Sequence, residues 1–339
     1  MEKSGPFVKI LIKVKIRVLK LDIMKKMIMR GLAVWLVWIG FCVAVQASEP
    51  IRPIPRKLPY NKSKAELGYW LFIDPSLSSD GSVACVSCHS FGHGGADPRP
   101  VSVGVHGKKG YVNAPTVYNS YFNFRQFWNG RAKDLKDQAN GPLHNPIEMA
   151  MKSKMIEAYF QKSEKYRRLF KKVYGRAPRY TDALDAIAEF EKALYTPNCR
   201  FDLYLRGEGE LSIKEKRGYD LFKTVGCITC HNGINIGGNS YQKMGLIVPY
   251  PWSESSPDRF DITKNPMDKN VFKVPTLRNI ALTAPYFHDG SAKTLKEALQ
   301  KMAYHNLGFE LDQDEIEALE AFLETLTGEK PAILKEMGM

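Results

Sequence analysis

Three things are scarce in this chain of 339 residues, and each shortage excludes a class of protein. Long apolar runs are missing beyond residue 47, so a bundle of membrane-spanning helices is excluded. Positive charge is scarcer than the formal net of +13 suggests. Residues 1–47 hold nine Lys/Arg against two Asp/Glu, which leaves 40 against 34 in the remainder, a net of +6. No Lys/Arg-rich run follows, and a nucleic-acid partner is therefore not expected. Cysteine is scarce too, with six residues whose spacing does not suit a disulfide framework. Cys42 sits in the early apolar stretch, Cys199 stands alone in "TPNCRFD", and the other four fall into two Cys-x-x-Cys-His motifs. A solitary cysteine such as Cys199 reads as a small buried apolar residue.

The early stretch "MKKMIMRGLAVWLVWIGFCVAVQA" (24–47) has a basic start, an apolar run and a small-residue finish. That is the pattern of a secretory signal, with cleavage expected after Ala47. The run from Gly31 to Val45 is shorter than the ~20 residues that cross a bilayer. Residues 1–23 are long for a signal's basic region, so translation starting at Met24, Met27 or Met29 is part of the expectation. The remaining length exceeds what one core usually serves, which points to two domains.

A repeat supports that division. "GYWLF" (68–72) precedes "CVSCH" (85–89), and "GYDLF" (218–222) precedes "CITCH" (227–231). "AIAEFEKAL" (186–194) is answered by "ALEAFLETL" (318–326), with apolar residues at helical spacing in both. Each copy reads as a helix, a cysteine motif, a loop-rich middle and a closing helix. Ser63 before Glu66 and Ser212 before Glu215 suggest a capping box at each first helix. Residues 148–175 read as one or two amphipathic helices with a solvated charged face. "TPNCRFDLYLRGEGE" breaks the helical pattern and sets the boundary, giving residues 48–200 and 201–339 after the signal.

Cys-x-x-Cys-His is a covalent haem attachment motif: two thiols add to the porphyrin vinyls and the histidine supplies an axial nitrogen. Zinc would want its two cysteine pairs about 15–20 residues apart, whereas His89 and His231 are 142 residues apart. Two haems c are therefore expected, held by Cys85 and Cys88 and by Cys227 and Cys230, with His89 and His231 on iron. Met302, 71 residues after His231, is placed like the returning thioether of a small cytochrome c. A thioether raises the potential, so this haem should store electrons. The first copy has no such late methionine. Met149, Met151 and His106 are the candidates, and His106, in a glycine-rich loop 17 residues after His89, is the strongest. His93 is too close to His89 to cross the macrocycle and reads as structural. His144, His288 and His305 read as hydrogen-bonded loop or core histidines.

These motifs, with "LSSDGSVACVSCH", "NAPTVYNS", "QFWNGRAKDLKDQANGP", "NPIEM" and "VFKVPTLRNIALTAPYFHDGSAKTLKEAL", resemble the bacterial dihaem cytochrome c peroxidases from about Gly68 to Gly328. The resemblance implies a mainly α fold of two cytochrome c-like haem domains in tandem, with the C-terminal tail packing back on the first. It implies a periplasmic homodimer that reduces hydrogen peroxide to water with electrons from a small soluble donor, a cytochrome c or a cupredoxin. The first domain would be peroxidatic and the second electron-transferring. Glu148 would be the pocket carboxylate, with Gln138 and Phe127 as neighbours and Trp128 between the haems. Asn113, Thr283 and Pro285 would hold one calcium ion, the last two through backbone carbonyls, which suits a hard cation. The loop before "NAPT" is one residue shorter than usual in the family, so the match of His106 to the displaceable ligand needs a gap. Two other classes are a non-enzymatic dihaem electron carrier and the related enzymes that oxidise a partner's tryptophans.

Replacing the thioether by an imidazole should lower the second haem's potential. Met302→His is expected to leave that haem hard to reduce with a mild donor, as read by redox titration. An unchanged titration would reduce Met302 to packing.

Overall fold

The computed structural model describes residues 24–27, 29, 49–251 and 256–339. The expected signal and its cleavage point after Ala47 lie almost wholly outside the described residues. The chain divides into residues 1–49 and residues 50–339, and the fold below is that of the second unit. No helix among the described residues is long and apolar enough to cross a membrane.

The first copy opens with α1 (Lys62–Phe72), whose buried face carries Ala65, Leu67, Tyr69, Leu71 and Phe72. Its cap is Asn61, which accepts a hydrogen bond from the Lys64 amide at 3.0 Å. The expected cap at Ser63 is displaced, because the earlier residue already supplies the side-chain oxygen and Ser63 falls in the first turn. Next come α2 (Leu135–His144), α3 (Ser153–Lys162) and α4 (Glu164–Tyr174), so residues 148–175 contain two helices. Ser163 ends one and caps the other, and Gly175 in the left-handed region stops α4. The copy closes with α5 (Tyr180–Ala193), which buries Ala183, Ala186, Ile187 and Phe190 along one stripe. The expected break at residues 196–210 contains a short helix, α6 (Arg200–Leu205), capped by the Cys199 sulfur. Cys199 itself is buried in the second core.

The second copy begins with α7 (Ile213–Thr224), where Ser212 and Glu215 form the expected capping box. Its loop-rich middle holds β1 (Tyr241–Lys243), a short α8 (Phe260–Thr263) and β2 (Val271–Lys273). The two strands pair antiparallel, Tyr241 opposite Lys273. Then α9 (Leu295–Met302) runs into one π-helical turn, Ala303–Leu307, before α10 (Gln313–Glu324) and α11 (Ala332–Glu336).

Each copy is built on the same crossing. A β-carbon on Gly68 of α1 would stand 2.0 Å from the Ala186 carbonyl oxygen of α5, and one on Gly218 of α7 would stand 1.9 Å from that of Ala318 on α10. Only glycine lets the helices approach this closely. Phe190 and Phe322, both fully buried, pack beside the two crossings. Around them lie two cores: residues 65–194 supply one, and residues 199–326 the other. The chain ends trade places. Ile51 packs in the second core, whereas Ile333 and Leu334 of α11 are buried in the first. A fully buried pair, Arg278 and Asp202 at 2.7 Å, anchors the leading segment: Arg278 donates to the Arg52 carbonyl and Asp202 accepts from the Ile54 amide.

The crossing predicts a steep cost for one methyl group. Gly68→Ala should lower stability by about 2–3 kcal/mol through overpacking, measured by urea unfolding in far-UV circular dichroism. Gly92→Ala, whose nearest new neighbour would be 4.0 Å away, should stay within about 0.5 kcal/mol of the parent. Equal effects at the two positions would deny the crossing its role.

Candidate functional site

The first attachment motif forms a single 3-10 turn, Cys85–Ser87, entered directly from α1 through a short loop. The Ser87 hydroxyl accepts from the Ala84 amide, and the His89 amide donates to the Cys85 carbonyl at 3.0 Å. His89 Nδ1 lies 3.3 Å from the Gly95 carbonyl, which leaves Nε2 as the free ring nitrogen. Burial holds this imidazole below its ordinary pKa, against the carbonyls of Gly95 and Pro115. Burial also pushes up the Cys85 and Cys88 thiols, so neither behaves as a ready thiolate.

Cys85, Cys88 and His89 line one pocket together with Phe127, Trp128, Gln138 and Glu148. Its walls come from α1 (Phe72), α2 (Gln138, Pro142) and α5 (Ile187, Glu191). Glu148 is half-buried, and its Oε1 accepts from the Asn145 amide at 2.5 Å. Burial raises the Glu148 carboxyl, opposed by that hydrogen bond and by the charge of Arg131. Arg131 covers the Phe127 ring at 3.4 Å.

His106 is not in this pocket. It is exposed, in the left-handed region at φ 55°, with its amide donating to Asp80 Oδ2 at 2.8 Å and its Nδ1 3.5 Å from the same oxygen. Met149 is buried in the first core and lines the pocket, and Met151 packs against the core's edge.

The second motif repeats the turn at Cys227–Thr229, with the His231 amide donating to Cys227 at 3.0 Å. His231 is buried, and its Nδ1 has no hydrogen-bond partner. Burial pushes it down to about 4, against the nearby carbonyls of Ile236 and Pro275. A neutral imidazole with an orphaned ring nitrogen, two residues of buried or half-buried sulfur and an apolar surround suit a metal ligand on a covalently held macrocycle. Both motifs therefore fit haem. Met302, the last residue of α9, packs against Met244, Tyr250 and Phe272. Trp128 packs on this same cluster and also lines the first pocket, so it lies between the surroundings of Met302 and the first motif.

The structure also shows a second register of the repeat, 160 residues apart. Asn119 and Asn279 share φ near 60°, Phe127 and Phe287 share φ near 70°, and matching bridges join Gln126 to Ala132 and Tyr286 to Ala292. A phenylalanine in the left-handed region is strained, and its recurrence marks the turn as architecture. In this register Trp128 corresponds to His288, Asn113 to Lys273 and Pro142 to Met302. The two copies are stitched reciprocally here. The Asn113 amide donates to the His288 carbonyl at 2.8 Å, and the Lys273 amide donates to the Trp128 carbonyl at 2.7 Å. His288 is thus a junction residue, stacked 4.2 Å from the Phe272 ring and set edge-on to Trp128 at 6.2 Å.

Of the expected calcium ligands, Asn113 donates its side-chain nitrogen to the Asp97 and Arg99 carbonyls, leaving Oδ1 as its ligand atom. Thr283 and Pro285 flank Ala284, whose carbonyl lies 2.5 Å from His93 Nε2. His93 thereby joins the first attachment loop to the second copy. His144 and His305 are held by the Asn140 and Val248 carbonyls. Among the described residues no three acidic, histidine or cysteine side chains converge as a metal site.

Comparisons agree with this arrangement. Residues 62–210 match the family described as di-haem cytochrome c peroxidase, and residues 215–327 match cytochrome c. The chain is 49% identical to the cytochrome c551 peroxidase of Nitrosomonas europaea, over 84% of this chain and 86% of that protein. It is 46% identical to a cytochrome c peroxidase of Escherichia coli, over 83% of this chain and 62% of that one. Among solved structures, a MauG-like protein associated with microbial copper homeostasis superposes with a TM-score of 0.74 at 31% identity, covering 84% of this chain and 95% of that chain. With two haem-attachment turns on one repeated helical framework, and an acid-bearing pocket at the first of them, the chain belongs to the di-haem cytochrome c peroxidases.

Proposed function

We propose that the protein reduces hydrogen peroxide to water in the periplasm, with electrons from a small soluble donor such as a cytochrome c or a cupredoxin. One observation carries this reading. A single pocket joins Cys85, Cys88 and His89 to Glu148, Gln138 and Trp128, and it has Pro142 where the second copy has Met302. A proline side chain offers no ligand atom, so the first site has no thioether at the position that Met302 holds in the second copy. The signal-like residues 1–47 support export.

When bound, the first haem would offer iron to peroxide and the second, between His231 and Met302, would store an electron. The protein's own groups move the proton. Glu148 would accept a proton from peroxide and give it back to the departing oxygen, the two electrons of the reduction being supplied by the haems when bound. Burial keeps the carboxyl's proton affinity up while Asn145 fixes its orientation. Gln138 supplies an amide that can hydrogen-bond to the bound oxygens. Trp128 is held by its Nε1, which donates to the Asn113 carbonyl at 2.9 Å, and offers a fixed aromatic bridge between the lobes. Calcium at Asn113 Oδ1 and the Thr283 and Pro285 carbonyls would brace that same junction.

His106 is proposed as the conditional distal ligand of the first haem, and its clasp on Asp80 supports reading this conformation as the released one. Gly104 lets the loop lie against residues 147 and 148, where a β-carbon would stand 2.1 Å from the Ile147 carbonyl oxygen. The loop and the segment that carries Glu148 are therefore packed backbone to backbone.

Two variants test the reading. Glu148→Gln keeps shape and loses the titratable group, so peroxide turnover should fall by about 10²–10⁴ with both haem spectra and donor oxidation retained. Turnover surviving within a few-fold would place the proton carrier elsewhere. His106→Gly should leave the fully oxidised protein open to cyanide and active without prior reduction, while His93→Gly should not. A six-coordinate first haem in His106→Gly that still needs reduction would exclude His106 as its ligand.

A further inference from the structure

Glu191 is a buried acid that the chemistry above does not use. It lies on α5, is 4% exposed, lines the first pocket, and its Oε2 has no hydrogen-bond partner. The closing helices supply a built-in control. With Phe190 set against Phe322 and Leu194 against Leu326, Glu191 falls on Leu323, itself 3% exposed in the second core. The helix crossing is thus satisfied by a leucine at this position. The first lobe carries a carboxylic acid there, despite the cost of burying an unpartnered polar group.

The surroundings leave this carboxyl electrostatically alone. Among its neighbours, the Cys85 thiol is the group whose titration feels Glu191, and a thiol joined to a haem vinyl no longer titrates. Lys64 of α1 is paired with Asp185, Asp137 of α2 accepts from the Lys133 amide, and Glu157 of α3 accepts from the Tyr180 amide. On α5 itself, Glu189 accepts from the Asn61 amide, and Lys192 reaches Glu189 and the Tyr121 ring. Within the pocket, the fields of Arg131 and Glu148 act on each other. Burial alone pushes Glu191 up to about 8, into the range where a small change in local charge alters its protonation.

We propose that Glu191 is the proton-binding group of the first haem site, taking up one proton when an electron arrives at that haem and releasing it when the electron leaves. The proposal rests on the haem and peroxidase reading of this pocket. The step balances: one electron enters from the donor by way of the second haem, one proton enters from solvent, and the net charge of the pocket is unchanged. In a site of low polarity an uncompensated charge is costly, so the paired uptake eases reduction. Leu323 cannot do this, and the second haem should lack the coupling.

The test is a spectroelectrochemical titration of the haem-loaded protein at a series of pH values on both sides of 8, following each haem separately. In the parent protein the first haem's reduction equilibrium should shift up to tenfold per pH unit, 59 mV for one electron, between the carboxyl's two pKa values, and the second haem should not. Glu191→Gln should flatten the slope at the first haem only. Glu191→Leu, which installs the residue of the second lobe, should do the same. A redox-linked carboxylic-acid band in the infrared difference spectrum should disappear in both variants. A slope that persists in both would assign the proton to another group, such as a porphyrin propionate, and overturn the proposal. So would a flat parent profile. Because the titration reads the haem and not turnover, its failure is distinguishable from failure of the peroxidase reading, which Glu148→Gln addresses.

Discussion

The close contact of two helices at one glycine is the constraint on which the rest of this fold depends. Gly68 against Ala186, and Gly218 against Ala318, bring backbone to backbone where any side chain would hold the helices apart. What the crossing positions is chemical as well as structural. In the first lobe α1 contributes Phe72 to the pocket wall and leads into the Cys85–Ser87 turn, and α5 contributes Ile187 and Glu191. The attachment cysteines and the pocket's back wall are therefore placed by one contact.

On this shared framework the two lobes differ in side chains at matched positions. Pro142 stands in one copy where the other has Met302. Trp128 against His288 places an indole on one side of the junction and a buried imidazole on the other. Glu191 against Leu323 gives an acid to one pocket and an apolar wall to the other. Backbone geometry is conserved between the copies even at its strained points, Phe127 and Phe287. The duplicated scaffold holds still while the ligands change.

The sequence was legible where chemistry demands contiguous residues. Cys-x-x-Cys-His needs its three groups on one turn, so spacing alone revealed both attachment sites, and the helical periodicity around Phe190 and Phe322 revealed the closing helices. It was less legible where partners come from distant loops. The copies are offset by 150 residues at the first helices, 142 at the attachment histidines, 160 at the junction and 132 at the closing helices. Sliding offsets hide the equivalence of Trp128 and His288 until the backbone turns are seen. Glu191 was hidden for another reason: an acidic residue flanked by Glu189 and Lys192 has the pattern of a solvated helix face, whereas in the fold it is buried beside Phe190 and lines the first pocket. Cap positions were settled locally, by Asn61 preceding Ser63. His106 shows the limit of spacing arguments, since its loop carries the side chain to Asp80 and outside the pocket.

The exchange of chain ends has a consequence for the integrity of each lobe. The first lobe's core is completed by Ile333 and Leu334, and the second lobe's by Ile51. Each core therefore includes a segment that lies beyond the other lobe in the chain, and neither is built from one contiguous stretch. The pocket-bearing half is closed by a segment that follows the second lobe in the chain. Loss of the α11 segment would therefore open the core beside the first pocket.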